Sequence, residues 1–367
     1  MKISSRQMFW IVAILEFGMT LLLTQSTTIE AAKQDAWISY AVSGFAAVII
    51  TFISGKLSLL YPNQTFIEYS QTILGKWLGK LIVIPYFLQW FLIMGVILRQ
   101  SSEFIRMVLF RNTPLIVIVL LMLYLMTFVT YRGNIEAIGR CSEVFGPVII
   151  VITIITLLLS FSNVDLKGIL PIFVDSGWKT TLNSSLTPLS FFGEASIIMM
   201  LIKFNKDPKK GVSSSILAVG LISIFIMIIT IETIMVLGPT LASRLWYPYF
   251  EMVRFISLME FLQNIEIIVA VVWILSIFIK LSTYLFITTF GIGQWLNLKD
   301  WRKVIWFAII ILIPISLYFP NIDSVSIEFP NKIWMPFILP INMVAIPFSL
   351  WIIGAFRKKK KERQSSV

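Results

Sequence analysis

Long apolar runs alternate with short polar connections along the chain. Runs near or above the roughly 20 residues that an α-helix needs to cross a bilayer fall at about 7–28, 38–60, 81–108, 114–131, 144–161, 186–204, 212–237, 265–290, 303–320 and 334–356. They predict about ten membrane-spanning helices, and so both termini on one side. Residues 61–80 are too polar to cross, yet Phe66, Tyr69, Ile73, Trp77 and Leu81 recur at helical spacing. This predicts an amphipathic helix on the membrane surface, started by Pro62-Asn63. Two longer polar segments, 162–186 and 238–264, fall on the opposite side. The second carries Trp246, Tyr247, Tyr249 and Phe250, then Val253, Ile256 and Leu258, which fits either an amphipathic helix over the mouth or an interfacial aromatic belt.

Two runs are interrupted in the same way. The first contains Glu16-Phe17-Gly18-Met19, and the sixth contains Pro188 and then Ser190-Phe191-Phe192-Gly193-Glu194. A carboxylate in mid-membrane costs roughly 2.5–3.5 kcal/mol on lenient scales, and exposed backbone is tolerated there only where it lines a protected cavity. Interrupted helices in corresponding places of two halves mark inverted-repeat transporter folds, whose ligand sits at the breaks. The expectation is an all-α membrane protein in which helices 1 and 6 are broken and Glu16, Gly18, Met19, Ser190, Gly193 and Glu194 line a ligand site. The competing reading is that Gly18 only permits close helix packing and Glu16 pairs with a distant cation. The chain reads as one membrane domain, 1–367, with halves of about 1–165 and 166–356 and a basic tail at 357–367.

Other charges within the runs are few. Lys280 is flanked by long apolar stretches and needs a partner: a buried carboxylate, a proton-titrating role, or the place where related transporters put a sodium ion. A plain structural ion pair fits as well. Arg99, Glu103 and Arg106 share a helix face and should neutralise one another. Glu232 and Glu266 lie near helix ends and should reach the interface.

Composition agrees with a membrane protein: 57% of the 367 residues are hydrophobic and 13% charged. The net charge of +11 points to orientation rather than to nucleic acid. With the N-terminus cytoplasmic, 20 of the 30 basic residues fall on the inner side and 8 on the outer, while Arg99 and Lys280 lie within spans. That asymmetry places both ends in the cytoplasm, with the basic tail against anionic membrane lipid. The single Cys141 allows no internal disulfide, and the absence of histidine excludes imidazole metal sites. No metal or cofactor is expected. Gly75-Lys76-Trp77-Leu78-Gly79-Lys80 has the wrong spacing for a phosphate loop, and no paired catalytic constellation is visible, so a membrane enzyme is disfavoured.

Four stretches carry a family likeness. They are Ile3-Ser4-Ser5-Arg6-Gln7 leading into Glu16-Phe17-Gly18-Met19-Thr20; Ala31-Ala32-Lys33-Gln34-Asp35-Ala36-Trp37-Ile38; Tyr61-Pro62 through Glu68-Tyr69 to Gly75-Lys76-Trp77-Leu78-Gly79-Lys80; and Phe192-Gly193-Glu194. With them the chain resembles the B subunit of spore-germination nutrient receptors, a branch of the amino acid/polyamine/organocation transporter superfamily. The resemblance implies ten helices in two inverted groups of five, in the inner membrane of a bacterial endospore. It also implies a small-molecule germinant, commonly an amino acid, bound near Gly18 and Gly193, and A-type and C-type receptor subunits as partners. The chain departs from many relatives in having one glycine with bulky neighbours at the first break. The rival function is a proton-coupled amino acid transporter.

Overall fold

The computed structural model describes residues 1–256 and 265–365. Helix begins at once: α1 (Ser5–Ala32) is opened by a capping box in which the Gln7 amide donates to the Ser4 hydroxyl and the Ser4 amide donates to the Gln7 side chain. A 3₁₀ turn at Lys33–Asp35 leads to α2 (Ala36–Leu60), followed by α3 (Phe66–Leu74), α4 (Lys76–Leu81) and α5 (Ile84–Val108). Helix α6 (Leu115–Ser160) is two rods joined at Asn134, whose backbone leaves the helical region at φ 53° and ψ −157°. The chain continues through α7 (Trp178–Ser184), α8 (Leu186–Phe192), a 3₁₀ segment Gly193–Ile197 and α9 (Ile198–Leu201). Then follow α10 (Pro208–Ala242), α11 (Pro248–Arg254), α12 (Ile265–Trp295), α13 (Lys303–Tyr318) and α14 (Ile346–Ser365). Among the described residues, seven helical stretches are long and apolar enough to cross a membrane. Two of them, Ser5–Leu60 and Leu115–Asn163, each contain two rods separated by the interruptions at Lys33–Asp35 and Asn134.

Helix α1 is the core of the bundle. Every residue from Ile11 to Gln25 is buried, as expected for a helix that is apolar all round. It packs against α6, α8, α10 and α12, while α2 lies along α10 and α5 along α13. Close crossings fall at small residues: a side chain on Gly44 would strike Ser223, and one on Gly55 would strike Val212, both where α2 meets α10. Many buried hydroxyls bond back to their own helices. Thr51 donates to the Ala47 carbonyl (2.7 Å), Ser101 to Ile97 (2.6 Å), Thr283 to Ile279 (2.8 Å) and Thr289 to Leu285 (2.6 Å), so these polar side chains enter the apolar interior with their donors met.

The α-helical winding gives way where prolines crowd. Residues Ser324–Glu328 and Pro330–Ala345 wind as a π-helix running into α14. Pro330, Pro336 and Pro340 supply no amide, and a proline ring clashes with the carbonyl four residues back, a clash that the wider i→i+5 turn relieves.

Three expectations need correction here. Helix α1 is continuous through Gly18 rather than broken. The amphipathic stretch is two helices rather than one, because Gly75 turns the chain at φ 89°. Its face is divided in consequence: Phe66, Tyr69 and Ile73 are fully buried in the bundle, whereas Trp77 and Leu81 are exposed. Its start is Thr65, whose amide donates to Glu68 (2.7 Å), rather than Pro62-Asn63. Third, Glu232 does not reach outward; it is buried and accepts a hydrogen bond from Ser160. Glu266 stands 4.0 Å from Arg254, and Glu103 pairs with both Arg99 (2.8 Å) and Arg106 (2.7 Å) as their spacing requires.

The stretch Ala31–Ile38 anchors the long segment that follows α6. Gln34 donates to the Pro171 carbonyl (2.8 Å) and to Asp175 (2.6 Å), and Asp35 accepts from the Phe173 amide (3.0 Å) and the Ser176 hydroxyl (2.6 Å). In the other long segment, α11 buries Tyr249, Phe250, Met252 and Val253 against the bundle. Leu258, predicted to extend this face, lies outside the described residues.

Candidate functional site

The buried charges converge where α1, the Gly193 turn and α12 meet. Helix α8 gives way at Gly193 to the 3₁₀ segment Gly193–Ile197, which turns Glu194 into the interior, where it is 1% exposed. The interruption of the sixth run is thus a tightening of the helix rather than an unwinding. On α12, Trp273, Ser276, Lys280 and Tyr284 follow at three- and four-residue steps, so they form one stripe facing α1 and the Gly193 turn.

Lys280 Nζ stands 2.9 Å from Glu194 Oε2, with both side chains essentially buried. The Tyr284 hydroxyl donates to the same oxygen at 2.6 Å. The lysine lies off the line of a good hydrogen bond, so the contact is an ion pair that leaves ammonium donors unspent. Glu194 Oε1 has no partner among the described residues, and neither has either oxygen of Glu16. Glu16 is fully buried and close enough to Lys280 and Glu194 to interact with both charges. Two carboxyls and one ammonium therefore share a water-excluded space in which acceptors outnumber committed donors. Such a group is costly to bury unless paired and marks function inside a membrane protein.

Next to this cluster, Tyr86, Gln89, Glu194 and Tyr284 border a cavity of about 10 Å³, room for one water at most. Asn342 donates to Gln89 (2.8 Å), and Tyr86 donates to the Asn342 carbonyl, so the far wall is polar and tied to the π-helical stretch. Beside Gly18, which accepts from Trp273, edge-on aromatic rings pack together. Phe104 and Trp273 have centroids 3.9 Å apart, and Phe104 and Tyr247 5.0 Å apart.

The predicted residues divide into two groups. Glu16, Glu194 and Lys280 come together. Gly18 supports them through packing: its carbonyl accepts from Trp273 Nε1 (3.0 Å), and a Cβ there would lie 2.0 Å from Ser276 Oγ and 2.9 Å from Ser276 Cβ. Met19 is fully buried beside it. The Ser190 hydroxyl donates to the Thr187 carbonyl (2.6 Å), and the Ser190 carbonyl accepts from Trp334 (2.8 Å), so both groups are bonded within the bundle. Gly193 adjoins Met343, whose Sδ lies 2.6 Å from a built Cβ. Tyr284 was missed, although it stands four residues beyond Lys280 on the same helix face and was open to that inference.

These contacts predict unequal costs for the two glycines. Gly18→Ala drives a methyl into a short side chain held by its own backbone bond, an overpacking worth roughly 1–3 kcal/mol, whereas Gly193→Ala meets the flexible end of Met343. We expect the thermal midpoint of purified Gly18→Ala to fall clearly below that of Gly193→Ala, and Ser276→Gly to restore it. Equal midpoints for the two alanine variants would show that the α1–α12 crossing is not set by Gly18.

A family model described as spore germination protein (spore permease) matches residues 2–324 of the chain. The chain belongs to this family. Spore germination protein YndE of Bacillus subtilis is 30% identical over 277 residues, which cover 75% of each chain. Spore germination protein KB of the same organism is 24% identical over 99% of this chain and 97% of its own. Among solved structures, the nucleobase-cation-symport-1 family transporter Mhp1, in a closed conformation with bromovinylhydantoin bound, superimposes with a TM-score of 0.64 at 14% identity, over 88% of this chain and 74% of Mhp1. A manganese transporter of Eremococcus coleocola gives a TM-score of 0.60 at 12% identity, over 96% of this chain and 76% of its own. The fold is that of these membrane transporters, and the family is that of the spore germination proteins.

Proposed function

We propose that this member of the spore germination family is a receptor subunit that senses a small nutrient, amino acid-like in character, at the Glu16–Glu194–Lys280 cluster. The observation that carries the reading is the unmatched acceptor capacity of two fully buried carboxyls beside one ammonium. A ligand ammonium would complete Glu16 and Glu194 Oε1, and a ligand carboxylate would take the unspent donors of Lys280. The site as it stands admits no nutrient, so binding requires the α1–α12 stripe and the Gly193 turn to separate. Ligand would then favour the separated arrangement by its better contacts there, and A-type and C-type partner subunits would read the change.

The same proposal takes the chain as one membrane domain, 1–367, crossing ten times in two inverted groups of five, about 1–165 and 166–356. It lies in the endospore inner membrane with both termini cytoplasmic. The two-rod character of Ser5–Leu60 and Leu115–Asn163 and the basic asymmetry support this topology. A second reading, a proton-coupled amino acid carrier, is favoured by Glu16, a buried carboxyl without a partner among the described residues, which could load and release a proton. Reconstituted vesicles separate the two. We expect saturable binding of a nutrient from an amino acid panel with little accumulation. Robust uptake driven by a proton gradient, by this chain alone, would sink the sensor and support the carrier; no binding across the panel would sink both.

A further inference from the structure

A second site lies on the outer flank of the bundle, in a groove between the first rod of α6 and α13. Its volume is about 410 Å³, and its walls include Leu123, Tyr124, Phe128 and Trp306, with Thr127 among them and Arg132 at one end. Two features set it apart from an ordinary lipid-facing surface. Thr127 is only 8% exposed, yet its hydroxyl has no partner among the described residues, whereas Thr51 and Thr283 bond back to their own helices. Arg132 is exposed, and Arg302 is fixed beside it, donating to the Tyr131 carbonyl and to Asn134, each at 3.1 Å. This is the end at which the N-terminal residues dock, since the Lys2 amide donates to Glu136 at 2.7 Å.

We infer that the groove binds an anionic phospholipid, with one acyl chain against Tyr124, Phe128 and Trp306, the phosphate on Arg132, and an ester carbonyl at Thr127. The order of groups along α6 carries the inference. Thr127 precedes Arg132 by five residues, about 7.5 Å along a helix, and lies on the hydrocarbon side. A glycerophospholipid presents its groups in that order: an anion at the headgroup, ester carbonyls that accept but cannot donate just beneath it, then hydrocarbon. The ester thus meets the buried, unpartnered Thr127 hydroxyl, and a guanidinium suits a phosphate through paired hydrogen bonds. Tyr131 and Trp306, with centroids 6.3 Å apart, stand at the depth where amphipathic rings collect. A partner helix fits less well. The groove holds about the volume of one helical turn, a cylinder ~10 Å across and 5.4 Å high, so a helix would rest across it and leave the Thr127 hydroxyl unmet.

The test uses the purified full chain, with phosphatidylglycerol and phosphatidylcholine of the same acyl composition offered in equal amounts. Native mass spectrometry should show phosphatidylglycerol retained about tenfold more than phosphatidylcholine, the effect of one charge-assisted contact, and Arg132→Gln should bring the two to parity. Brominated phosphatidylglycerol should quench tryptophan fluorescence in the wild-type chain, and most of that quenching should vanish in Trp306→Phe. Both positions are exposed, so neither change threatens folding. An undiminished preference in Arg132→Gln, or quenching indifferent to Trp306, overturns the assignment. A lipid-free two-chain species would overturn it in favour of a second copy.

Discussion

Lys280→Met should be among the most destabilising single changes in this chain, lowering stability by about 3–5 kcal/mol. Methionine fills nearly the same space, so the loss is electrostatic rather than steric. It leaves Glu194 and Glu16 buried without the Lys280 ammonium, and removing one partner of a buried pair costs far more than the pair itself contributes. The pair Lys332–Glu328, 2.6 Å apart but well exposed, provides the comparison: Lys332→Met should cost no more than about 1 kcal/mol, because solvent screens such pairs. The measurement is the thermal midpoint of each purified variant in one detergent. The double variant Lys280→Met/Glu194→Gln should recover much of the loss by removing the stranded charge. If Lys280→Met behaves like Lys332→Met, the ammonium is not buried against Glu194. If the double variant is as unstable as the sum of its parts, the two residues do not interact.

The second large effect concerns response rather than stability. Glu194→Gln keeps shape and removes charge, so a ligand donor loses a charge-assisted hydrogen bond worth roughly 1.5–3 kcal/mol, or about ten- to hundredfold in apparent affinity. The nutrient dose–response at matched protein level should shift by that factor, while Glu266→Gln, near Arg254 and partly exposed, should leave it in place. Met343→Leu, which changes the neighbour of Gly193 without touching the charges, serves as a packing control. An unchanged midpoint for Glu194→Gln, or an equal shift in Glu266→Gln, removes Glu194 from the ligand site.

Much of this was legible in the sequence because a bilayer imposes simple rules. Long apolar runs had to be helices, and a charge flanked by apolar residues on both sides had to find a partner inside. Lys280 and Glu194 satisfy that requirement through each other. The helix tightens at Gly193, where proline, glycine and carboxylate coincide. Gly18 misled in one respect. A glycine within a helix is equally a licence to bend and a licence to pack, and which applies depends on what stands opposite. Here it is Ser276, some 250 residues away in sequence, and α1 runs on unbroken past it. The amphipathic period across Gly75 misled for a related reason: periodicity assumes constant backbone angles, and one residue at positive φ resets the face. The π-helical winding of Pro330–Ala345 also follows from its prolines, but a hydropathy pattern alone carries no trace of it.

The lopsided bonding of Glu194 has a spectroscopic consequence. Lys280 as an ion-pair partner and Tyr284 as a hydrogen-bond donor both approach Oε2, and Oε1 has no partner among the described residues. Unequal donation makes the two C–O bonds unequal, which widens the separation between the antisymmetric and symmetric carboxylate stretches. A ligand donor arriving at Oε1 would even the bonds and draw the two bands together, whereas a ligand that displaced Lys280 from Oε2 would move them by a different route and alter the tyrosine ring modes as well. Infrared difference spectra of the unlabelled protein, with Glu194→Gln to identify the bands, would therefore report not only that a nutrient has bound but which oxygen received it.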